Sequence, residues 1–239
     1  MDVDPGFKSR LSMEPYGAAP APQVAREDPL CHLPCGKLLE FRKAQTIYGA
    51  ETAPEMLYLI LEGKVKVLRL QYERNPVLVD IYQTDDFFGE AAFLRRAAHA
   101  EAAVAIENSR VMAWSILEIE SILIRRPMLG IALMQLFVKR SMDFGGRIES
   151  LSVDSIPRRL ARSLIHLSER LGHEAPDGST EMIPITHELL SQYVGTSREI
   201  ITQHMNRFRR MGYLRYSRRG ILLDRSAWET WLREAPKAS

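Results

Sequence analysis

Alternating apolar and polar positions mark the first half of the chain. Short runs rich in β-branched and aromatic residues are separated by turn residues, such as Glu62-Gly63. This density of short strands is typical of a small antiparallel barrel or sandwich. The predicted strands cover residues 45–48, 56–61, 64–70, 77–82, 101–106 and 111–115. The segment 30–41 that precedes them is predicted to form a short helical or turn region leading into the first strand.

Beyond residue 116 the apolar spacing changes to the period of a helix. A short helix is predicted over 117–126, and a longer one begins at Pro127 and reaches about residue 151, roughly 37 Å. Its apolar seam has the spacing of a two-stranded coiled coil, so we expect a parallel homodimer. The seam comprises Met134, Phe137, Ser141, Phe144, Ile148 and Leu151. A helix packed within one chain is the alternative, but a second stripe of Leu129, Leu133 and Leu136 already supplies that contact.

A break follows the long helix. Asp154 to Pro157 is predicted to form a hinge, since proline disfavours helix at Ile156, and Gly145-Gly146 is a predicted flexible point within the long helix itself. The next helix is predicted over 157–171. A brief extended piece at 183–185 then leads into the segment 186–211.

Residues 186–211 have the pattern of two short helices joined by a tight turn. Gly195 ends the first helix, because glycine adopts the left-handed conformation readily. Thr196 and Ser197 are candidate caps of the second helix, and Thr196-x-x-Glu199 has the spacing of a capping box. Ile200, Ile201, Met205 and Phe208 are predicted to face inward. The predicted outward set is Arg198, Glu199, Thr202, Gln203, Asn206 and Arg207.

The outward set contains side chains that recognise base edges in DNA. Arginine pairs with guanine, glutamate accepts from cytosine, and glutamine or asparagine pairs with adenine. An ordinary helical hairpin with solvated charges has the same pattern, so the flanking segments decide between the two. Two short strands follow at 213–216 and 220–223, joined by Ser217, Arg218 and Arg219. This hairpin with a cationic tip resembles the wing of a winged helix-turn-helix, and a last helix is predicted over 226–234.

Composition and charge place limits on the class of protein. A chain of 239 residues with 46% hydrophobic and 26% charged residues predicts a globular protein of two domains. It has no apolar run of about 18 residues and its N-terminus is polar, so we expect a cytoplasmic protein without a membrane partner. Residues 155–239 hold 14 Lys and Arg against 9 Asp and Glu, or +5, which leaves −3 for the rest. The positive charge therefore lies with the candidate DNA-binding segment.

The order of these parts, and two motifs, resemble the CRP/FNR family of bacterial transcription regulators over about residues 30–223. Asp85-Asp86-Phe87-Phe88-Gly89-Glu90 is similar to the family's GDFFGE sequence, and Gly195-Thr196-Ser197-Arg198-Glu199 is similar to its G-x-S-R-E. The resemblance implies an α+β fold with an N-terminal antiparallel β-roll, a long dimerisation helix and a C-terminal winged helix-turn-helix. The implied domains are the β-roll at 30–126, the dimer helix at 127–153 and the DNA-binding domain at 154–239. Residues 1–29, which contain several prolines and few large apolar residues, are predicted to form a flexible tail.

The resemblance also implies partners and contacts. Double-stranded DNA, a second copy of the chain and RNA polymerase are the expected partners. Base reading is carried over to Arg198, Glu199 and Gln203, and a phosphate contact to Thr186, Ser197 and Arg218. Thr196, Thr202, Arg207 and Arg219 complete the expected DNA-contacting set. Gln203 stands where family members that read TGTGA half-sites carry a second arginine, so the expected half-site is related to that sequence and not identical.

The sensory half departs from the cyclic-AMP binders of the family. Counting from Gly89 and Glu90, the position of the phosphate-binding arginine falls at Ala100, and Glu101 follows it. A carboxylate there repels a phosphate, and the nearby Arg95 and Arg96 lie in a less suitable register. Phe144 and Gly145 lack the hydroxyls that contact adenine. We therefore expect no productive cyclic-AMP binding, although Gly89, Glu90, Ala100, Glu101 and Phe144 mark a possible pocket for another ligand.

The residues give little support to other classes of function. Cys31 and Cys35 supply too few thiolates for an iron-sulfur cluster, and two free thiols are expected in place of a metal or redox site with His32. His99 alone does not support haem. No catalytic triad, zinc spacing or phosphate loop indicates an enzyme. A regulator that responds to redox change, another small molecule or a cyclic dinucleotide stays open, as does a regulatory module without a DNA role.

Overall fold

The computed structural model describes residues 27–49, 55–71, 74–94, 101–175, 178–217 and 220–234. Its first part is built from short antiparallel strands. These are β1 Lys37–Phe41, β2 Thr46–Tyr48, β3 Met56–Glu62, β4 Lys64–Gln71, β5 Arg74–Gln83, β6 Phe87–Phe88, β7 Glu101–Ala105 and β8 Ser109–Ser115. They form two four-stranded sheets, ordered β1-β8-β3-β6 and β2-β7-β4-β5. The predicted strands are thus confirmed to within a few residues.

Segment 30–41 begins with a turn, as the predicted helical or turn region allows, but it ends in a strand that was not predicted. A 3-10 turn over Pro29–Cys31 is followed by β1, which pairs with β8 from Lys37 opposite Ala113 to Phe41 opposite Ser109. The local sequence favoured a turn, but pairing with a distant strand decides the conformation. Cys31 and Cys35 are therefore not neighbours on one helix, and both are free and exposed.

Aromatic side chains fill the space between the sheets. Tyr58 stacks on Phe88 with ring centroids 4.9 Å apart, and Tyr48 and Tyr82 each stack against the same Phe88 ring. All of these rings are buried. Phe88 comes from the motif next to Gly89, so this motif helps to form the core of the β-roll.

Three helices follow the strands: α1 Ile116–Arg125, α2 Met128–Val153 and α3 Ile156–Leu171. Helix α2 buries Leu129, Ala132 and Leu133 against the β-roll, which confirms an intramolecular face. It continues without a break through Gly145 and Gly146.

The junction between α2 and α3 is tighter than the predicted hinge. Helix α3 begins at Ile156 and includes Pro157 in its first turn, where a missing N–H has no cost. The prediction that Pro157 disfavours helix at Ile156 is therefore wrong. Asp154 is buried here; it accepts from the Ser150 hydroxyl and pairs with Arg158 and Arg162. These contacts fix the junction.

The C-terminal part is a winged helix-turn-helix. It comprises β9 Gly172–Glu174, β10 Thr180–Met182, α4 His187–Val194, α5 Arg198–Arg210, β11 Leu214–Tyr216, β12 Ile221–Leu223 and α6 Arg225–Glu234. Its strands form a sheet ordered β11-β12-β10-β9. Phe208 packs edge-on to Trp228 and Trp231, with centroids 4.5 and 5.2 Å away. The sequence contained no clear signal for β9, which has only three residues.

The winged domain packs directly on β5. Leu78 and Ile81 belong to the same buried cluster as Leu167 and Tyr193 of the C-terminal helices. Arg170 of α3 pairs with Asp80 at 2.5 Å and with Asp86 at 3.2 Å. The β-roll and the winged domain are therefore joined by a shared buried cluster and by the ion pairs of Arg170.

Candidate nucleic-acid interface

The turn between α4 and α5 sets the direction of the second helix. Thr186 caps α4, since its side-chain oxygen accepts from the backbone N–H of Leu189 at 3.1 Å. Gly195 adopts the left-handed conformation with φ 75° and ψ 52°, as predicted. Ser197 caps α5 by accepting from Ile200 N at 3.4 Å, which places Thr196 outside the cap. Of the two predicted caps, only Ser197 is thus confirmed.

Helix α5 has one buried and one exposed face. Ile201, Met205 and Phe208 are fully buried, as expected. Within α5, the exposed side chains of the predicted DNA-contacting set are Arg198, Glu199, Gln203 and Arg207. Arg198 and Arg207 form no ion pair with any residue that the structure describes. This face presents unpaired cations and hydrogen-bonding groups to solvent.

Two contacts support the helix from its flanks. The Thr202 hydroxyl donates to Arg198 O and accepts from His187 Nδ1, each at 2.9 Å. Burial and the neighbouring Arg198 lower the pKa of His187, which favours a neutral ring in this role. The Thr202 hydroxyl is therefore already engaged in hydrogen bonds within the protein. Sequence reasoning did not identify His187.

The wing supports the other end of the recognition helix. Tyr216 of β11 donates to the side-chain oxygen of Asn206 at 2.9 Å, and Arg209 lies over the Tyr216 ring at 5.3 Å. Asn206, predicted to face DNA, is held by the wing. Arg218 and Arg219 at the predicted cationic tip lie outside the described residues.

A strand of the β-roll lies beside the turn, which the sequence did not indicate. Pro76 and Val77 of β5 line a surface cleft together with Gly195, Arg198 and Glu199. Val77 is 43% exposed, so the cleft is open to solvent. The N-terminal end of the recognition helix therefore borders the β-roll.

The predicted ligand pocket lies between the β-roll and α2. A cavity of about 790 Å³ is lined by Glu90, Glu101 and Phe144, together with apolar residues of α2. Gly89 has a φ of 85°, and a side-chain carbon on it would lie 2.7 Å from Met56 O, so only glycine fits this turn. Ala100, Arg95, Arg96 and His99 lie outside the described residues.

The carboxylates of this cavity are already paired within the chain. Glu90 pairs with Arg140 at 2.5 Å, and Arg140 also donates to Phe87 O and lies over the Tyr82 ring. The Tyr48 hydroxyl donates to Glu101 at 2.7 Å, and burial raises the pKa of Tyr48, which keeps it a donor. The wall of this cavity therefore carries two acidic side chains that are already hydrogen-bonded within the chain.

The predicted dimer seam is divided between two faces of α2. Met134, Ser141 and Ile148 are exposed, whereas Phe137 is half-buried with its ring 6.3 Å from Phe93 of the same chain. Phe144 is half-buried in the cavity wall, and Leu151 lies over the turn at Gly195. Large apolar side chains exposed on α2 form a stripe that includes Ile131, Met134, Val138, Met142 and Ile148.

The described part of the chain contains neither a candidate metal-binding cluster nor a helix that could cross a membrane. Within the described ranges, His, Cys, Asp and Glu side chains are nowhere grouped by three or more to hold a metal ion. None of the helices that the structure describes has the length and apolar character needed to cross a membrane.

Comparison with known families agrees with this arrangement. The model of the cyclic nucleotide-binding domain matches residues 38–126, and that of the Crp-like helix-turn-helix domain matches residues 158–229. The chain belongs to the CRP/FNR family of DNA-binding transcription regulators. The fold expected for this family is confirmed, with its β-roll, long helix and winged helix-turn-helix in that order.

Several members of the CRP/FNR family are similar over most of the chain. The CRP-like cAMP-activated global transcriptional regulator of Mycobacterium tuberculosis is 24% identical over 188 residues, 79% of this chain and 84% of the relative. Transcriptional regulator SdrP of Thermus thermophilus is 29% identical over 170 residues, 70% of this chain and 78% of the relative. The crystal structure of a CRP/FNR-family regulator, also from Thermus thermophilus, matches with a TM-score of 0.62 and 26% identity, over 83% of this chain and 99% of that one.

Proposed function

We propose that this CRP/FNR-family chain acts as a homodimer that binds a palindromic DNA site, with one recognition helix in each of two major grooves. The observation that carries the proposal is the exposed face of α5, where the side chains of Arg198, Glu199 and Gln203 are open to solvent. Arginine and glutamine are suited to guanine and adenine, and glutamate accepts from cytosine. Ser197 caps the helix and so holds the end that carries these side chains.

Phosphate contacts position the helix in this proposal. Thr186 and Ser197 lie at the N-terminal ends of α4 and α5, where backbone N–H groups and the helix dipole favour a phosphate. Arg207 is exposed on α5, and Arg218 and Arg219, which lie outside the described residues, are the predicted cationic tip of the wing. RNA polymerase is the proposed protein partner of the DNA-bound regulator.

The exposed stripe on α2 supports the dimer. Met134 is 63% exposed and Val138 54% exposed, although both are apolar, and water contact at such a continuous stripe is unfavourable. A parallel pair of α2 helices would bury it and set the two recognition helices about one DNA turn, roughly 34 Å, apart.

Selection of binding sites from random double-stranded DNA tests the recognition proposal. We expect a palindrome with two half-sites, and binding to it should weaken steeply as the salt concentration increases. Recovery of an asymmetric single half-site would contradict dimeric recognition. Failure to retard any DNA, with and without cell extract metabolites, would contradict DNA binding itself.

The dimer has its own test. Val138→Glu places a charge in the middle of the exposed stripe, so sedimentation should show a monomer where the unmodified chain is a dimer. Lys139→Glu is the matched control on the next residue, and the dimer should persist. An unchanged mass for Val138→Glu would place the interface elsewhere.

We further propose that DNA binding does not depend on cyclic AMP. Support comes from Glu101, which lies in the wall of the same cavity next to the position where the cyclic-AMP binders of the family carry the phosphate-binding arginine. No iron-sulfur cluster or haem is expected either. A second candidate is regulation by a different small molecule, because the cavity of about 790 Å³ is large enough for one. Calorimetric titration with cyclic AMP should show no binding, and a micromolar dissociation constant would contradict the proposal.

A further inference from the structure

A second cavity lies at the junction between α2 and the winged domain, away from the β-roll pocket and the recognition helix. Its volume is about 420 Å³, within the range of small-molecule sites. We call it the junction cavity. Its apolar wall consists of Met142, Gly146, Leu151, Ile165, Val194 and Leu232. Helices α2, α3, α4 and α6 all contribute to it, and among these α4 packs directly on α5.

Two polar groups in its wall have no partner. The Tyr193 hydroxyl and Arg159 Nε are both buried, and neither has a hydrogen-bond partner among the described residues. Tyr193 is only 5% exposed. A buried donor without an acceptor is unfavourable and rare in folded proteins, so these two atoms indicate that an acceptor is missing from the cavity.

The unpaired groups are donors. Burial and the nearby Asp80 raise the pKa of Tyr193 to about 12, so its hydroxyl keeps its proton. Arg159 forms no ion pair within the described part of the chain, and its other nitrogens make long contacts with Leu151 O at 3.5 Å and Gly195 O at 3.4 Å. Arg147 adds a second guanidinium, 3.9 Å above the Tyr193 ring. Asp143, Glu169 and Glu229 also line the cavity, and the two glutamates are paired with Arg225. Near Tyr193 the unpaired donors and the two guanidiniums favour an acidic group.

A partner α2 helix would not fill this space. Successive helix residues are about 100° apart, so Gly146, Arg147 and Ser150 lie roughly 120° to 160° around the axis from Met134. Met134 belongs to the exposed stripe proposed for the dimer. Met142 belongs to both the stripe and the cavity wall, so a partner helix would border one edge of the cavity, whereas Gly146, Arg147 and Ser150 face away from the stripe.

We propose that the junction cavity binds a small amphipathic anion, with an apolar body between the four helices and one acidic head group that accepts from Tyr193 Oη and Arg159 Nε. This site is separate from the pocket between the β-roll and α2. A ligand here would hold α3 and α4 against α2 and so fix the position of the winged domain.

Fluorescence titration of the full-length chain with 8-anilinonaphthalene-1-sulfonate tests the site without DNA. We expect saturable binding of one dye per chain. The neutral analogue N-phenyl-1-naphthylamine has the same aromatic body without the acidic group, and it should bind about tenfold more weakly, as expected for one charge-assisted hydrogen bond. Equal affinity for the two dyes would overturn the assignment of an acidic ligand.

Matched variants locate the dye. Gly146→Leu projects a side chain into the cavity, where the backbone has open space, and should abolish binding. Gly145→Leu makes the same change on the adjacent residue, which also has open space around it, and should keep the affinity. Both changes favour helix. Unchanged dye binding by Gly146→Leu would overturn the proposal.

Tyr193→Phe separates binding from folding. It removes a hydroxyl that has no partner among the described residues, so the melting temperature should stay the same or increase, while dye affinity falls about tenfold. Unaltered dye affinity in this variant would show that the Tyr193 hydroxyl does not contact the ligand. Absence of dye binding by the unmodified chain would also overturn the proposal, because another segment or a second copy then fills the cavity.

Discussion

Arginines serve opposite purposes in the recognition helix and in the junction between α2, α3 and the β-roll. In the junction, Arg158 and Arg170 are paired with buried or half-buried carboxylates. On the recognition helix, Arg198 and Arg207 are exposed and have no carboxylate partner among the described residues. The difference separates charges that hold this chain together from charges available to a partner.

This comparison gives a rule for the effects of substitution. Removal of a junction charge leaves its partner desolvated and unpaired, so stability should fall. Removal of an exposed, unpaired charge leaves no buried partner behind. The unfolding free energy should therefore hardly change, while the affinity for DNA should fall. Four substitutions, taken from the largest expected effect to the smallest, test this separation.

Asp154→Asn should have the largest effect. It removes the carboxylate charge next to Arg158, whose side chain is 5% exposed, and the unfolding free energy should fall by about 3 to 5 kcal/mol in urea titrations. Burial opposes ionisation of Asp154, but the Ser150 hydroxyl and the two arginines outweigh it and lower its pKa. The unmodified chain should therefore hold this stability above the unfolded pKa of about 3.9 and lose it as the pH falls through the folded value.

The variant should lack that acid-dependent loss. Glu149→Gln changes an exposed acidic residue on the same helix and should alter stability by less than about 0.5 kcal/mol. Parallel pH dependence in Asp154→Asn and the unmodified chain would contradict the role of this carboxylate.

Arg170→Met should destabilise the chain by about 2 to 3 kcal/mol, because it leaves Asp80 buried without a cation. Differential scanning calorimetry should also show the winged domain melting separately from the β-roll. Arg225→Met is the matched control, since Arg225 pairs with Glu169 and Glu229 at the surface and should contribute less than about 1 kcal/mol. A single unchanged transition for Arg170→Met would show that the apolar contact alone joins the domains.

Arg198→Ala should weaken binding to the selected palindrome by about 1 to 3 kcal/mol, measured by fluorescence anisotropy, and relax specificity at one base pair. Its unfolding free energy should be unchanged, since the side chain is exposed. Arg218→Ala is the contrasting variant and should weaken binding to all sequences alike. Equal losses on cognate and scrambled DNA for Arg198→Ala would contradict its assignment to a base.

Ser197→Ala should have the smallest effect, about 1 kcal/mol of stability, because it removes the cap of α5. Thr196→Ala should cost less, although both residues have capping chemistry. Thermal denaturation of the two variants compares them directly. A larger loss for Thr196→Ala would place the start of the recognition helix one residue earlier.

Local chemistry made much of the winged domain predictable. Gly195 ends α4 in the left-handed conformation, and Ile201, Met205 and Phe208 form the buried face of α5, both as the sequence indicated. These features depend on residues within one or two helical turns. Strand β1 was not predictable in the same way, because it pairs with β8, which lies far along the chain, with Lys37 opposite Ala113.

The amino-acid sequence alone determined most of the elements and their order, the buried residues Ile201, Met205 and Phe208 of α5 and the family motifs, since each depends on neighbouring residues and helical or strand periodicity. Only the tertiary structure decided which charges are paired. The contacts of Arg170 with Asp80 and of Arg140 with Glu90 join residues from distant segments, and burial by distant segments leaves the Tyr193 hydroxyl without a partner among the described residues. Pairing depends on the distance between two charges and on their burial in three dimensions. Neither quantity can be read from the spacing of residues along the chain.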